Sequence, residues 1–339
     1  MQAPMAGGPS TAALAAAVSE AGGLAFLAAG YRTPGDVVRE IGELRSLTRA
    51  AFGLNIFMPP STPIEPEAYA AYAETLRDDA ERFGVTLGAP RSDDDAYAQK
   101  LELAADEHVP VVSFTFGCPD PLVVERLHDA GCDVWVTITG LDEASRAVAA
   151  GADALVVQGP EGGGHRASFE DSDEREEIGL LALLRLVARA YPVELVAAGG
   201  LADGAAVAAV LCAGARAAQL GTAFLRTPEA GTSDAHRVAL ATHAPTRVTR
   251  AFSGRRARGI VNRFMREHHD EAPGGYPEIN NLTSPLRAAA RAAGDPGGIN
   301  LWAGQAYTLA EEAPAGELVR RLGADARDTL RAALQALDG

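Results

Sequence analysis

The chain alternates short apolar runs with amphipathic, alanine-rich segments, and this alternation limits its possible folds more than any other feature. It predicts repeated βα units around a parallel sheet, because strands that are covered by helices on both faces are apolar throughout. Glycine or proline bounds most of the runs. The predicted strands cover residues 24–29, 52–57, 111–116, 134–139, 154–158, 193–198 and 217–224, with residues 1–5 as the end of an eighth.

Eight strands of this kind close a (β/α)8 barrel, and uniformly apolar strands suit a barrel better than an antiparallel sandwich. The sequence therefore predicts the α/β class and a TIM barrel, with a doubly wound open sheet as the alternative. Thr33 and Pro34 have the residue types of an N-cap and a first helical position. The predicted helices between the strands cover residues 11–21, 34–50, 142–150, 178–190 and 203–212.

We expect the chain to be organised in three parts. Residues 1–254 are predicted to form the barrel, with a truncated first strand. The segment 255–310 interrupts the βα rhythm, since it is rich in glycine, proline, arginine and histidine and has no clear strand. It is predicted to be a lid subdomain over the barrel mouth, inserted near the C-terminus. Residues 311–339 contain a closing helix over 315–337 that packs on the barrel.

Charge and cysteine content restrict the possible partners. The chain has 30 basic and 45 acidic residues and a net charge of −15, which disfavours nucleic acid and acidic membrane surfaces. Lys100 is the only lysine and has no glycine loop beside it, which excludes Schiff-base, pyridoxal and P-loop chemistry. Three cysteines without CxxC spacing indicate a reducing compartment. No apolar run approaches about 18 residues and the N-terminus lacks a basic start, so we expect a cytoplasmic protein. The sequence leaves the oligomeric state open.

Glycines and neutral amides follow the predicted strands on the side where barrels bind ligands. Gly199 and Gly200 form a turn before a helix, and the segment 219–222 reads QLGT. Together they predict a phosphate site made of backbone N–H groups, although a glycine pair alone also fits a simple tight turn. Asn55 and Gln158 each offer a donor and an acceptor, which matches the edge of a heteroaromatic ring such as an isoalloxazine. Either residue is also compatible with an ordinary hydrogen-bonding role in a loop.

His165 is the candidate catalytic residue. It follows three glycines on a loop at the predicted ligand face, and an imidazole can remove a proton or, when protonated, stabilise an anion. His268 and His269 are adjacent in MREHHDE, where neighbouring carboxylates offer metal ligands. Adjacent histidines on a solvated face are the simpler interpretation, and we predict no metal.

Six motifs in order along the chain resemble the nitronate monooxygenase family, formerly called 2-nitropropane dioxygenases, and its class I branch in particular. The resemblance implies a TIM barrel with a lid, non-covalent FMN, no metal, and oxidation of alkyl nitronates or nitroalkanes by O2 to a carbonyl compound and nitrite. The motifs are QAPMAGGPSTAALAAAVSEAGGL, FGLNIF, VVSFTFGCP, DALVVQGPEGGGHR, LVAAGGLADGAAVAAVLCAGARAAQLGTAFLRTPE and LWAGQAY.

The resemblance also assigns roles to residues. It implies that His165 is the catalytic histidine, which either deprotonates a nitroalkane or, when protonated, holds an anionic nitronate. Arg166 or lid arginines such as Arg255 and Arg263 are candidates to gather that anion. The FMN-binding residues implied by the family are Pro4, Met5, Asn55, Gln158, Gly163, Gly200, Gln219, Leu220, Gly221 and Thr222.

The lid segment departs from the family pattern. GGYPEINNLTSPLR lacks the lysine expected near Ser284 and has Asn280 in place of a tyrosine, while Tyr276 matches a lid tyrosine. Arg166, Tyr276 and Ser284 are therefore the predicted substrate-binding residues, and the departures indicate a possible difference in the preferred nitro compound.

Two other functions fit the same barrel. One is an FMN-dependent NAD(P)H reductase of the enoyl- or quinone-reductase type. The other is a non-catalytic flavin-binding protein with a degenerate lid.

Overall fold

The computed structural model describes residues 1–60, 63–174 and 176–338. Within these ranges the strands are β1 Ala25–Ala28, β2 Phe52–Phe57, β3 Val111–Thr115, β4 Asp133–Ile138, β5 Ala154–Gln158, β6 Gly164–His165, β7 Glu194–Ala198, β8 Ala217–Gln219, β9 Thr246–Thr249 and β10 Ala257–Ile260. Seven parallel strands form one sheet in the order β1-β2-β3-β4-β5-β7-β8, and three antiparallel strands form another in the order β6-β10-β9.

Residues 1–3 lie between the two ends of the parallel sheet. Gln2 forms a parallel bridge with Leu220, and its amide donates to the carbonyl of Leu24 at 2.9 Å. The amide of Ala3 donates to the carbonyl of Leu220 at 2.8 Å. These bonds join β8 to β1 at the position predicted for the eighth strand, so the sheet closes as a TIM barrel. The predicted fold class is confirmed.

The helices alternate with the strands of the barrel. Thr33 is the N-cap of α2 and forms a capping box with Asp36, as its residue type predicted. The helices are α1 Ala12–Glu20, α2 Pro34–Leu47, α3 Pro66–Thr75, α4 Arg77–Phe83, α5 Tyr97–Asp106, α6 Pro121–Asp129, α7 Leu141–Ala149, α8 Leu180–Ala190, α9 Gly204–Cys212, α10 Asp234–Leu240, α11 Arg263–His268, α12 Glu278–Ala292 and α13 Ala315–Asp338.

The strands are apolar because both of their faces are buried. Leu27, Leu54 and Val112 belong to the large hydrophobic core shared with the surrounding helices. Phe26 and Trp135 belong to a separate cluster that fills the barrel, with their ring centroids 5.6 Å apart. Successive residues of a strand point to opposite sides, so one run supplies both layers.

Two strand predictions are corrected by the structure. The run 217–224 was expected to be one strand, but β8 ends at Gln219 and Thr222–Phe224 form a 3-10 helix. The run stays apolar because Phe224 is buried in that turn instead of in the sheet. The segment after residue 254 was expected to have no clear strand, yet β10 pairs Ala257 with His165. That pairing is long-range and leaves no periodic signal in the sequence.

A second hydrophobic core lies outside the barrel. Tyr72 and Leu76 pack there with Phe252, Phe264 and Ile279. Helices α3 and α4, which follow β2, therefore share a core with α11 and α12 of the predicted lid. Helix α13 packs against α9 and α1 of the barrel. The boundaries at residues 254 and 310 stay a prediction.

Candidate active site

A cavity of about 870 Å³ lies at the carboxyl ends of the parallel strands. That size falls within the range of about 300–1,000 Å³ that is usual for small-molecule and cofactor sites. Arg166, Arg255 and Arg263 are not part of its wall. The predicted site residues that line the cavity are Pro4, Met5, Asn55, Gln158, Gly163, His165, Gly200, Gln219, Leu220, Gly221, Thr222, Tyr276 and Ser284.

One rim of the cavity is made of backbone amides. Among the residues that the structure describes, none accepts a hydrogen bond from the amides of Gly200, Gly221 or Thr222. The hydroxyl of Thr222 accepts from the amide of Gly304 at 3.0 Å, which ties the rim to the tail segment LWAGQAY. Free amides beside a helix start are suited to an anion such as a phosphate, and no basic side chain is needed there.

Gly163 is where the rim and the tail segment meet. A Cβ atom at this position would lie 2.5 Å from the amide nitrogen of Gly304 and 2.6 Å from the carbonyl carbon of Ala303. These are backbone atoms, so any larger residue would push the two segments apart. Close approach therefore requires glycine at residue 163.

Neutral polar side chains lie deeper in the cavity. Gln219 is 6% exposed, and its side chain makes no hydrogen bond with the described part of the chain. Asn55 lies within β2, and its Nδ2 donates to Ser113 Oγ at 2.9 Å and to Thr115 Oγ1 at 3.0 Å. Its Oδ1 has no partner among those residues. Buried polar atoms of this kind are normally satisfied, so their arrangement fits a bound ligand with complementary donors and acceptors.

Gln158 is largely engaged by the protein itself. Its Oε1 accepts from Arg166 Nη1 at 3.0 Å and from the amide of Ala167 at 3.0 Å, and its Nε2 donates to the carbonyl of His165 at 3.1 Å. Only one N–H of the amide stays available to a ligand. Gln158 therefore holds the histidine loop in place as well as lining the cavity.

Arg166 is placed differently from what the sequence suggested. Its guanidinium contacts Gln158 and pairs with Glu177 at 3.3 Å, and the residue is 4% exposed. Because the guanidinium is used within the protein and lies off the cavity wall, its position favours a structural role over substrate binding. The sequence places Arg166 next to His165, but β6 ends at His165 and the guanidinium of Arg166 is held by Gln158 and Glu177.

The hydrogen bonds of His165 favour one tautomer. Its Nε2 lies 2.8 Å from Ser253 Oγ, and that hydroxyl lies 3.2 Å from the carbonyl of Arg255, to which it can donate. When the hydroxyl donates to this carbonyl, Ser253 accepts and Nε2 carries the ring proton. Nδ1 of the neutral ring is then left unprotonated. Ser253 was not predicted, because it is 88 positions away in sequence.

Aromatic side chains surround the imidazole. Ring centroids of Phe116, Tyr276 and Trp302 lie 5.6, 5.8 and 5.6 Å from that of His165. The hydroxyl of Tyr276 donates to that of Tyr31 at 3.2 Å. These rings surround the imidazole with apolar surface and limit the access of water to His165.

The same surroundings keep His165 neutral. Burial, with added repulsion from Arg255 and Arg287, lowers the pKa of His165 to about 3. Arg255 lies over the ring of Phe116, 4.1 Å from its centroid. The unliganded site therefore holds a neutral imidazole at physiological pH, and the protonated form that the sequence also allowed is disfavoured.

Arg287 was missed by the sequence analysis. It lines the cavity from α12, one turn beyond Ser284, which is itself exposed. The sequence did contain a signal for Arg287. It follows Ser284 by three positions, and residues three apart on a helix lie on the same face. Asn280, one of the departures from the family pattern, accepts hydrogen bonds from Arg287.

The adjacent histidines of MREHHDE lie beside carboxylates. His268 Nε2 contacts Asp79 Oδ2 at 2.7 Å, and Arg263 Nη2 contacts Asp79 Oδ1 at 2.7 Å. Asp79, Glu267 and His268 lie close enough together for a metal ion, but Arg263 already pairs with both carboxylates. The network joins α4 to α11. The absence of a metal stays a prediction.

Comparison with known proteins decides the family. The sequence profile of the family described as nitronate monooxygenase matches residues 1–325. The chain belongs to this family. A nitronate monooxygenase of Paraburkholderia phytofirmans is 39% identical, over 97% of this chain and 92% of that protein.

Solved structures agree with this family and with the barrel. A nitroalkane oxidase from Streptomyces ansochromogenes is 51% identical with a TM-score of 0.95, over 98% of this chain and 96% of that one. FabK from Thermotoga maritima is 26% identical with a TM-score of 0.77, over 99% of this chain and 94% of that one. In the part of the chain that the structure describes, no helix is both long and apolar enough to cross a membrane.

Proposed function

We propose that this nitronate monooxygenase family member is an FMN-dependent enzyme that oxidises alkyl nitronates with O2 to a carbonyl compound and nitrite. The observation that carries the proposal is the position of His165, a neutral imidazole inside a cavity that also has a rim of free amides. Family membership and the Streptomyces nitroalkane oxidase support the reaction class. The small-molecule substrate and O2 are the only partners we propose, and we place the reaction in the cytoplasm.

The cavity fits FMN by its own chemistry. Amides of Gly200, Gly221 and Thr222 would bind the phosphate without a basic side chain. Gln219 and Asn55 would hydrogen-bond the ring edge through atoms that have no partner within the described residues. When bound, FMN supplies the electron-transfer chemistry that no side chain of this cavity provides.

The protein residues orient the substrate and control protons. Ser253 holds the His165 ring, while Phe116, Tyr276 and Trp302 keep water from it. A base whose conjugate acid has a pKa of about 3 competes weakly for a carbon-bound proton. The site therefore favours a substrate that arrives already ionised, which is the nitronate and not the nitroalkane.

The test is a spectrum and a nitrite assay on the purified protein. We expect a flavin spectrum and nitrite release when propionate 3-nitronate is added in air. His165→Asn is expected to lower the rate by about 10-fold or more, because it removes the imidazole that packs with Phe116, Tyr276 and Trp302 in the cavity, and a loss of about 1.4 kcal/mol of transition-state stabilisation already corresponds to that factor. His243→Asn, at an exposed histidine outside the cavity wall, is the matched control and should keep the wild-type rate.

Other outcomes distinguish the alternatives. Rapid anaerobic bleaching of the flavin by NADPH would favour the reductase. A yellow protein that never releases nitrite, with or without His165, would favour the non-catalytic flavin binder. A colourless protein that refuses added FMN would contradict the proposed cofactor.

A further inference from the structure

Arg287 places a cationic group in the wall of the cavity. Its Nε donates to Thr283 Oγ1 at 3.1 Å, and its Nη2 donates to the carbonyl and the Oδ1 of Asn280 at 2.7 and 2.8 Å. All three acceptors are neutral oxygens on its own helix, α12. Nη1 has no partner among the described residues and keeps both of its N–H donors.

No carboxylate among the described residues lies within 4.0 Å of this guanidinium. Other arginines near the barrel mouth are paired, since Arg250 and Arg256 contact Asp171 at 2.8 and 2.9 Å. Arg255 also lacks a carboxylate, but it donates to two backbone carbonyls and lies off the cavity wall. Arg291, one turn further along α12, also lines the cavity without a carboxylate partner among the described residues, but it is exposed, whereas Arg287 is partly buried and is held by Thr283 and Asn280.

The surrounding charges leave this cation uncompensated. Asp93, Asp94 and Asp95 also line the cavity. Asp93 pairs with Arg91 at 2.9 Å, Asp95 pairs with the buried Lys100 at 2.8 Å, and Asp94 accepts from the amide of Ala96 at 3.0 Å. Burial and the nearby Arg291 lower the pKa of Arg287 to about 10, so it is protonated at neutral pH. His165 is neutral under the same conditions. The other arginines of the wall, Arg32 and Arg91, pair with Glu40 and Asp93, so among the described residues the unpaired positive charge of the cavity lies on α12.

We propose that Arg287 is the group that binds the anionic substrate and makes the enzyme select an ionised nitronate over the neutral nitroalkane. This inference rests on the proposed function. The planar fork of a guanidinium matches the planar O–N–O edge of a nitronate as it matches a carboxylate. A neutral nitro compound lacks the charge that strengthens those hydrogen bonds, so Arg287 discriminates by ionisation state.

Two measurements on the FMN-loaded enzyme test this role. Butyrate is a planar, unreactive anion of similar shape to a short alkyl nitronate, and its dissociation constant reports anion binding without turnover. Charge-assisted hydrogen bonds contribute about 1.5–3 kcal/mol, so Arg287→Met should weaken butyrate binding by about 10- to 150-fold. The KM for the nitronate of 1-nitropropane should rise similarly, while the KM or Ki of neutral 1-nitropropane should change less than about 3-fold.

Matched variants separate charge from packing. Arg287→Lys keeps the charge and should recover most of the butyrate affinity, whereas Arg287→Gln, a polar neutral variant, should behave like Arg287→Met. Arg266→Met removes an exposed arginine of α11 outside the cavity wall and should leave both constants unchanged. If Arg287→Met does not fold or loses FMN, the comparison of Arg287→Gln with Arg287→Lys decides.

The outcomes for the two proposals are distinct. A wild-type enzyme that releases nitrite, combined with neutral variants that keep wild-type KM and butyrate affinity, would overturn the role of Arg287 alone. An enzyme that releases no nitrite from any nitronate would overturn the proposed function, while the butyrate titration would still test Arg287. An equal loss of neutral 1-nitropropane binding would also contradict selection by charge.

Discussion

Two segments of the cavity rim lie in contact because Gly163 has no Cβ atom. Gly163 packs against the backbone of Ala303 and Gly304, and Gly304 in turn donates to Thr222. These contacts position the rim amides that we propose to bind the phosphate of FMN. At this scale, one methyl group is enough to change the geometry of a binding site, because backbone atoms cannot move aside as a flexible side chain can.

Gly163→Ala is therefore expected to weaken FMN binding by about 10-fold or more, since a loss of about 1.4 kcal/mol already corresponds to a factor of ten. Titration of the apoprotein with FMN, followed by quenching of flavin fluorescence, measures the change. Gly42→Ala, in α2, is the control, because its new Cβ has no atom within 4 Å. An unchanged FMN affinity in Gly163→Ala would contradict the proposed rim.

Helix α2 shows how far a local signal determines an element. The amide of Asp36 donates to Thr33 Oγ1 at 3.2 Å, and the amide of Thr33 donates to Asp36 Oδ2 at 3.3 Å. Pro34 occupies the first turn, where its missing N–H costs nothing. All of these contacts lie within four residues, so the start of the helix could be predicted from the sequence.

Loss of this cap should be measurable as a change in stability. Thr33→Ala is expected to lower the free energy of unfolding by about 1 kcal/mol, because the amide of Asp36 loses the hydroxyl that accepts its hydrogen bond. Denaturant unfolding at saturating FMN measures it. Thr33→Ser keeps the hydroxyl and should stay within about 0.5 kcal/mol of wild type. A loss in Thr33→Ser as large as that in Thr33→Ala would show that the cap is not the cause.

The whole molecule is expected to lose stability in acid partly through its buried histidines. Burial lowers the pKa of His236 to about 4, although its Nε2–H donates to the carbonyl of Trp302 at 3.1 Å. An unfolded histidine has a pKa near about 6.5, so between these values the unfolded chain binds more protons than the native one. Its contribution to stability is complete above about pH 6.5 and is lost as the pH falls towards 4.

His236→Gln should reduce this pH dependence. Between pH 7 and 5 the variant is expected to lose about 2 kcal/mol less unfolding free energy than wild type, from the difference of the two pKa values. Denaturant unfolding at both pH values measures the difference, and His243→Gln, at an exposed position, should keep the wild-type loss. Equal losses in wild type and His236→Gln would contradict this account.

Much of the candidate site was predictable because barrels bring strand ends together. Gly200, His165 and Gln219 each follow or end an apolar run, and the closed parallel sheet places them around one cavity. The second core was not predictable, since Tyr72 and Phe252 are far apart in the sequence and meet only in the folded chain. The pairing of β6 with β10 was missed for the same reason.

The sequence by itself determined the order of βα units, the helix starts and the strand-end residues, because periodicity, caps and glycine turns act over a few neighbouring positions. Only the tertiary structure decided which charges face the cavity. In the folded protein Arg166 supports Gln158 through a hydrogen bond, Arg287 has no carboxylate partner among the described residues, and His165 stays neutral. The physical reason is that a side chain's charge state depends on desolvation and on partners far away in sequence, which local patterns do not record.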